Sequence, residues 1–250
     1  MKRLLFRIGL LAVAGAGPTA FPLAQMGYAP LSRLALFVIL PSATLLIAAA
    51  FVLRALGLRD IGTALGKGLL AGALATVALE AIRYSGFRLG FMPGNLPELM
   101  GVLLLNRFAL GPSTASDLAG FAYHYYNGAA FGAIFALLIT GRPRWWAIPF
   151  GVAIGLGFLV SPVVQSLGVG LFGKDFGWHF AATVITAHAA FGAALAICQD
   201  FRPWNSLESN CWEGNLSRRS GVRSVGRLKK NRLTLELSPE CSLVVEDTPR

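Results

Sequence analysis

Apolar residues fill this chain in long unbroken runs instead of helical stripes or strand alternation. No charged residue occurs between Arg7 and Arg33, Arg33 and Arg54, Asp117 and Arg142, Arg144 and Lys174, or Asp175 and Asp200. Each run is 20 residues or longer, and a hydrocarbon core about 30 Å thick is crossed by about 20 apolar helical residues. The runs predict membrane helices at about 8–26, 32–53, 118–140, 145–167 and 176–199. A further helix, about 61–84, is apolar apart from Lys67 near its start and Glu80 and Arg83 near its end. Pro18 and Pro22 predict a kink or an early end in the first helix, and Pro41 interrupts the hydrogen-bond ladder of the second. The basic start and the small residues Ala14-Gly15-Ala16 also fit a cleavable signal peptide. Apolar sequence continues past that point, which favours a retained helix.

Residues 85–117 break the rhythm. Pro93-Gly94-Asn95 signals a turn, and Pro97 suits the first turn of a short helix at about 97–108. That helix is too short to cross a bilayer and too apolar for an ordinary loop, so an interfacial or re-entrant position fits it. The fold class expected is an all-α polytopic membrane bundle over 1–200, with about six transmembrane helices and one short interfacial or re-entrant helix. A polar, basic tail over 201–250 has a composition that predicts disorder.

Composition supports lipid as the solvent. Charged residues make up 14% of the chain, hydrophobic residues 55%, and mean hydropathy is +0.61. A soluble domain carries about 25% charged residues. The net charge of +10 is read as topology, with no nucleic-acid partner implied. With the N-terminus inside, cytoplasmic segments hold Lys2, Arg3, Arg7, Arg54, Arg59, Lys67, Arg142 and Arg144. The outside holds Arg33, Arg83, Arg88, Arg107 and Lys174. This asymmetry places both termini in the cytoplasm, and with them the protein in the inner (plasma) membrane. The tail groups Arg218, Arg219, Arg223, Arg227, Lys229, Lys230 and Arg232. Such a cluster beside a membrane can contact anionic lipid headgroups or simply reinforce the topology. Cys198, Cys211 and Cys241 have no CxxC spacing and are expected as free thiols. Oligomeric state is not legible.

The candidate chemistry lies at membrane depth. Glu80 falls about 20 Å along its helix from Lys67, inside the expected hydrocarbon. Intramembrane charge is costly and usually has a role. Glu80 and Arg83 are spaced to pair, as are His124 and Asn127. Together with His188 they form the candidate polar cluster, which reads either as helix-fixing hydrogen bonding or as a binding or proton-handling site. Tyr123, Tyr125, Tyr126, Gln165, His179, Thr183 and Thr186 share the same outer half, pointing to a water-accessible vestibule opening outward beneath residues 85–117. Of Tyr123, His124, Tyr125 and Tyr126, about two are expected to face the bundle interior. His179 and His188 fall on opposite helix faces. No HxxxH or HExxH spacing is present, so no metal site is assigned and no cofactor is identified. A haem held by His124 and His188 is admissible by ligand type, although their expected depths match poorly.

Ala129-Ala-Phe-Gly-Ala133 recurs as Ala189-Ala-Phe-Gly-Ala193, small-residue spacing that lets helices approach closely. The segments GFRLGFMPGNLPELMG and HYYNGAAFG resemble an uncharacterised family of bacterial multi-pass inner-membrane proteins, over roughly Lys67 to Leu138. The resemblance implies a bacterial membrane protein and assigns no activity or residue role. The leading expectation is binding or translocation of a small solute or proton through the vestibule. The alternatives are a membrane-embedded metal or haem redox enzyme, and a structural or assembly protein without a site.

Overall fold

In the computed structural model the described residues are 2–139 and 143–199; helices joined by turns and loops make up the fold, with no strand among the described residues. Long helices form where the apolar runs predict them: α1 (Lys2–Gln25), α2 (Leu31–Ala55) and α3 (Arg59–Arg88). The short α4 (Leu96–Leu104) precedes the long α5 (Thr114–Leu138). After α5 come α6 (Ala147–Leu159), the five-residue α7 (Pro162–Ser166) and α8 (Trp178–Cys198). Helices α1, α2, α3 and α8 are long and apolar enough to cross a membrane. Residues 201–250, with the basic cluster, Cys211 and Cys241, lie outside the described residues.

One proline expectation is corrected in part, and the other, an interrupted ladder at Pro41, is met. Pro18 and Pro22 neither end nor shorten α1, which runs unbroken through both. Pro41 is accommodated within α2 by a π-helical turn, Ala35–Ile39. That wider turn opens the ladder where the proline ring would press on the carbonyl four residues back. A further correction concerns the helix expected at 145–167. It ends at Leu159, and Ser161 adopts φ −73°, ψ 158° as the residue before Pro162. Pro Cδ disfavours the helical region for its predecessor, so the segment breaks into α6 and α7. The short helix expected at 97–108 is Leu96–Leu104.

Helix α3 is the hub, packed on α2, α5 and α8, with α6 against α8 and α4 against α5. Glycines set these distances. A Cβ on Gly72 would run into the Gly128 carbonyl, and one on Gly132 into the Gly68 carbonyl. The two GxxxG pairs therefore bring α3 and α5 together backbone to backbone. Gly68 opposes Gly132 and Ala136 while Gly72 opposes Gly128, so the two helices are antiparallel. Helices α6 and α8 repeat the arrangement, with Gly151 on the His188 carbonyl and Gly192 on the Ala147 carbonyl. The recurring Ala-Ala-Phe-Gly-Ala segment thus supplies one close-contact glycine to each pair. Gly101 and Gly120 do the same for α4 and α5.

The outer surface is apolar. Leu36, Phe37, Leu40 and Phe51 of α2 are exposed, as are Leu70, Leu74 and Val77 of α3. A soluble monomer does not leave such continuous apolar faces uncovered. Lys67 is exposed on the same helix as the α3 trio.

Gly72→Ala should destabilise the bundle by about 1–3 kcal/mol, the usual cost of an overpacked contact. Gly157→Ala, whose Cβ meets nothing within 4 Å, should be neutral or better. Detergent unfolding curves of the two variants check this, and equal curves would refute the backbone contact.

Candidate functional site

The close α3–α5 crossing lets side chains one turn further along both helices meet. Glu80 and Arg83 pair within α3 through two parallel bonds, Arg83 Nε donating to Glu80 Oε1 at 2.6 Å and Nη2 to Oε2 at 2.7 Å. His124 of α5 brings Nε2 to 2.8 Å from Glu80 Oε1. That approach has ion-pair distance but lacks the alignment of a hydrogen bond. Arg83 Nη2 also donates to Asn95 Oδ1 at 2.8 Å, and Asn95 Nδ2 donates to Glu98. Three helices and the loop before α4 are therefore tied into one buried polar chain.

Asn95 stands at the N-cap of α4, and Asn-x-x-Glu is a capping spacing. Its side-chain oxygen does not cap the helix; Arg83 takes it instead. The forked guanidinium geometry suits this double use, because a lysine could not hold Glu80 bidentately and reach Asn95 as well.

Arg83 is only 4% exposed, yet its Nη1 has no hydrogen-bond partner among the described residues. It lines a half-open cavity of about 400 Å³. The walls come from α1, α3, the loop before α4, and α4 to α8, and are mostly apolar, with Phe21, Met100, Phe131, Phe158 and Phe191 among them. Asn127 Oδ1 and Ser161 Oγ also line it and are likewise buried without a partner. Most buried polar atoms in proteins are hydrogen-bonded; with His124 Nε2, four unpartnered atoms belong to residues that line this cavity.

Of the five residues expected to cluster, Glu80, Arg83 and His124 form the polar chain. Asn127 and His188 lie outside it but line the same cavity as Arg83 and His124. His188 Nδ1 donates to the Val184 carbonyl at 2.8 Å, and the ring packs over Gly155. His179 points away, stacked between Phe91 and Trp178 with ring centroids 4.7 Å and 3.9 Å distant. Gln165 and Thr186 are exposed. Thr183 is buried where it packs on Gly86.

The aromatic run is corrected: three of its four positions engage the bundle. The Tyr123 hydroxyl accepts from the Phe21 amide at 3.1 Å and donates to the Gly17 carbonyl at 2.8 Å. It is inserted into the i→i−4 ladder of α1, a recognised cause of local helix opening. Tyr126 lies 2.7 Å from the Ser42 hydroxyl and packs on Gly17, while His124 turns to α3. Helix α5 has neighbours on both sides, so its aromatic residues need not share one face.

Sequence reasoning missed Asn95, Glu98 and Ser161. The first two carried a signal in their capping spacing, and Ser161 in the proline that follows it. Among the described residues no three His, Cys, Asp or Glu side chains come together as a metal-holding group. Cys198 is a free thiol. No family model, curated protein or solved structure matches the chain.

Removing one partner of a buried ion pair costs about 3–5 kcal/mol, because the other charge is left uncompensated. Glu80→Gln and Arg83→Met should each destabilise strongly, and the double variant by less than the sum. A double-mutant cycle in detergent measures the coupling; additive losses would show that the pair is not coupled.

Proposed function

We propose that this protein is a polytopic protein of the inner membrane whose bundle holds a small, largely apolar solute in the half-open cavity. The observation that carries the reading is the mostly apolar cavity of about 400 Å³ to which seven helices contribute, with Arg83 and His124 among its lining residues.

In this reading α1, α2, α3 and α8 cross the bilayer. Helix α5, 25 residues long, is a fifth crossing whose Tyr, His and Asn residues face neighbours instead of lipid. The sixth is the broken pair α6–α7, and α4 is the interfacial or re-entrant element. Helices interrupted at membrane depth are tolerated where they line a cavity, and they mark binding sites in transporters. The break at Ser161 lies at this cavity. The outward vestibule expected from the sequence becomes, on this reading, a mostly apolar chamber that favours a greasy solute over a hydrated ion.

Charge asymmetry supports cytoplasmic termini. Arg3 pairs with Asp60 at 3.1 Å, so the starts of α1 and α3 share one end of the bundle. Arg83 leaves the outside tally because it is buried. Contact between the basic tail and anionic lipid remains part of the proposal.

A reporter fused after Arg250 should be active only as a cytoplasmic reporter, and activity restricted to the opposite side would sink the topology. Purified protein should retain a small molecule detectable by mass spectrometry, or gain stability from one. If neutral substitutions at Glu80 and His124 left stability, ligand retention and flux in proteoliposomes all unchanged, the binding reading would fail.

A further inference from the structure

The cavity is half-open, and the exposure of its lining residues locates the opening. Thr19 of α1 and Gly157 of α6 are exposed, while every other lining residue is buried or half-buried. The two occupy equivalent places on their helices. Along α1 the lining positions Gly15, Pro18 and Pro22 and the exposed positions Ile8, Ala12 and Leu23 form adjoining faces, which meet at Thr19. Along α6, Ile154 and Phe158 line the cavity while Ala153, Leu156 and Val160 are exposed, and Gly157 stands between these faces. Helix α1 packs on α2, α5 and α7, whereas α6 packs on α8. The lips of the opening are thus two helices with different principal neighbours.

Helical rise sets the depth of the lips. Thr19 lies about 24 Å along α1 from Arg3, and Gly157 about 20 Å beyond Arg144. With those arginines at the cytoplasmic surface, both lips fall inside a hydrocarbon core about 30 Å thick. Leu23, Leu156 and Val160 are exposed beside them. A mouth at that depth, flanked by apolar side chains, faces acyl chains and not water.

Building on the proposed membrane-embedded cavity site, we infer that it is filled sideways from the bilayer, through a portal between α1 and α6, by the hydrocarbon chain of a membrane lipid. At about 400 Å³ the chamber is near the lower end of small-molecule sites, roughly 300–1,000 Å³. It therefore receives one chain, while the lipid head and any second chain stay in the bilayer. Walls that face a void lose dispersion contacts, and Phe131, Phe158 and Phe191 of the lining regain them against the chain.

The test uses the full-length protein in phosphatidylcholine vesicles and two photoreactive probes. One is a phosphatidylcholine with a diazirine near the end of one chain; the other is trifluoromethyl-phenyldiazirine, a benzene-sized solute. Labelled residues are mapped by mass spectrometry. Leu79, Ala187 and Phe191 line the cavity and are buried, so a lipid chain reaches them only through the chamber. The lipid probe should label them, together with exposed Leu36 and Phe37. Thr19→Trp combined with Gly157→Trp should lower interior labelling about tenfold, as an obstructing contact implies, and leave Leu36 and Phe37 labelled as before. The Thr19 hydroxyl bonds to the Gly15 and Ala16 carbonyls of its own helix, and a Cβ on Gly157 meets nothing within 4 Å. Both changes should therefore spare the fold, which an unchanged unfolding temperature checks. Ala12→Trp combined with Ala153→Trp, on the exposed faces outside the lining, should leave interior labelling at the parent level.

Interior labelling by the small diazirine alone would overturn the lipid chain and its portal while keeping the cavity site. Interior labelling by the lipid probe that survives the paired lip variant would overturn the portal between α1 and α6. An interior labelled by neither probe would overturn both the inference and the cavity reading beneath it.

Discussion

Everything else in the bundle is arranged around a place where two helices touch without side chains between them. Gly68 and Gly72 on α3 meet Gly128 and Gly132 on α5 so closely that no Cβ fits. At so short a separation, close van der Waals contact between the backbones supplies the attraction. The consequence for the site is geometric. With the backbones this near, a histidine on one helix reaches a carboxylate on the other at 2.8 Å. Wider spacing would put water or a longer side chain between Glu80 and His124. The glycine contact therefore sets the position of the ion pair, and the ion pair sets the direction of the guanidinium.

Arg83 in turn links the central bundle to the segment after α3. Its bond to Asn95 holds the approach to α4, and the Gly101–Gly120 contact holds α4 itself against α5. Leu96 and Met100 then form part of the cavity wall. One side chain thus borders the cavity and ties α3 to the approach to α4.

Much of this was legible in the sequence, for identifiable reasons. Charge-free runs located the helices, since few residues other than apolar ones tolerate such burial. Glu80 and Arg83 announced their pairing by helical spacing, and the two Ala-Ala-Phe-Gly-Ala segments flagged close contact. Other features were hidden because they depend on which helices become neighbours. That His188 shares a chamber with His124 follows from α8 packing on α3, which no spacing within α8 encodes. The role of Tyr123 depends on α1 lying beside α5. The break at Ser161 was readable from Pro162, but a long apolar run outweighed it.

The Tyr123 hydroxyl in the ladder of α1 bears on how the molecule is made. Phe21, whose amide it receives, is 102 residues earlier in the chain. During synthesis α1 emerges first, with its Pro18–Pro22 stretch short of internal hydrogen bonds, and its satisfying partner arrives only with α5. Packing of Leu10 and Ala14 on Leu46 and Ala50 of α2 does not wait for α5, but completion of the α1 ladder does. The same helix provides Gly15, Pro18, Thr19, Phe21 and Pro22 to the cavity wall, so part of that wall has its backbone bonds satisfied only once α5 has docked.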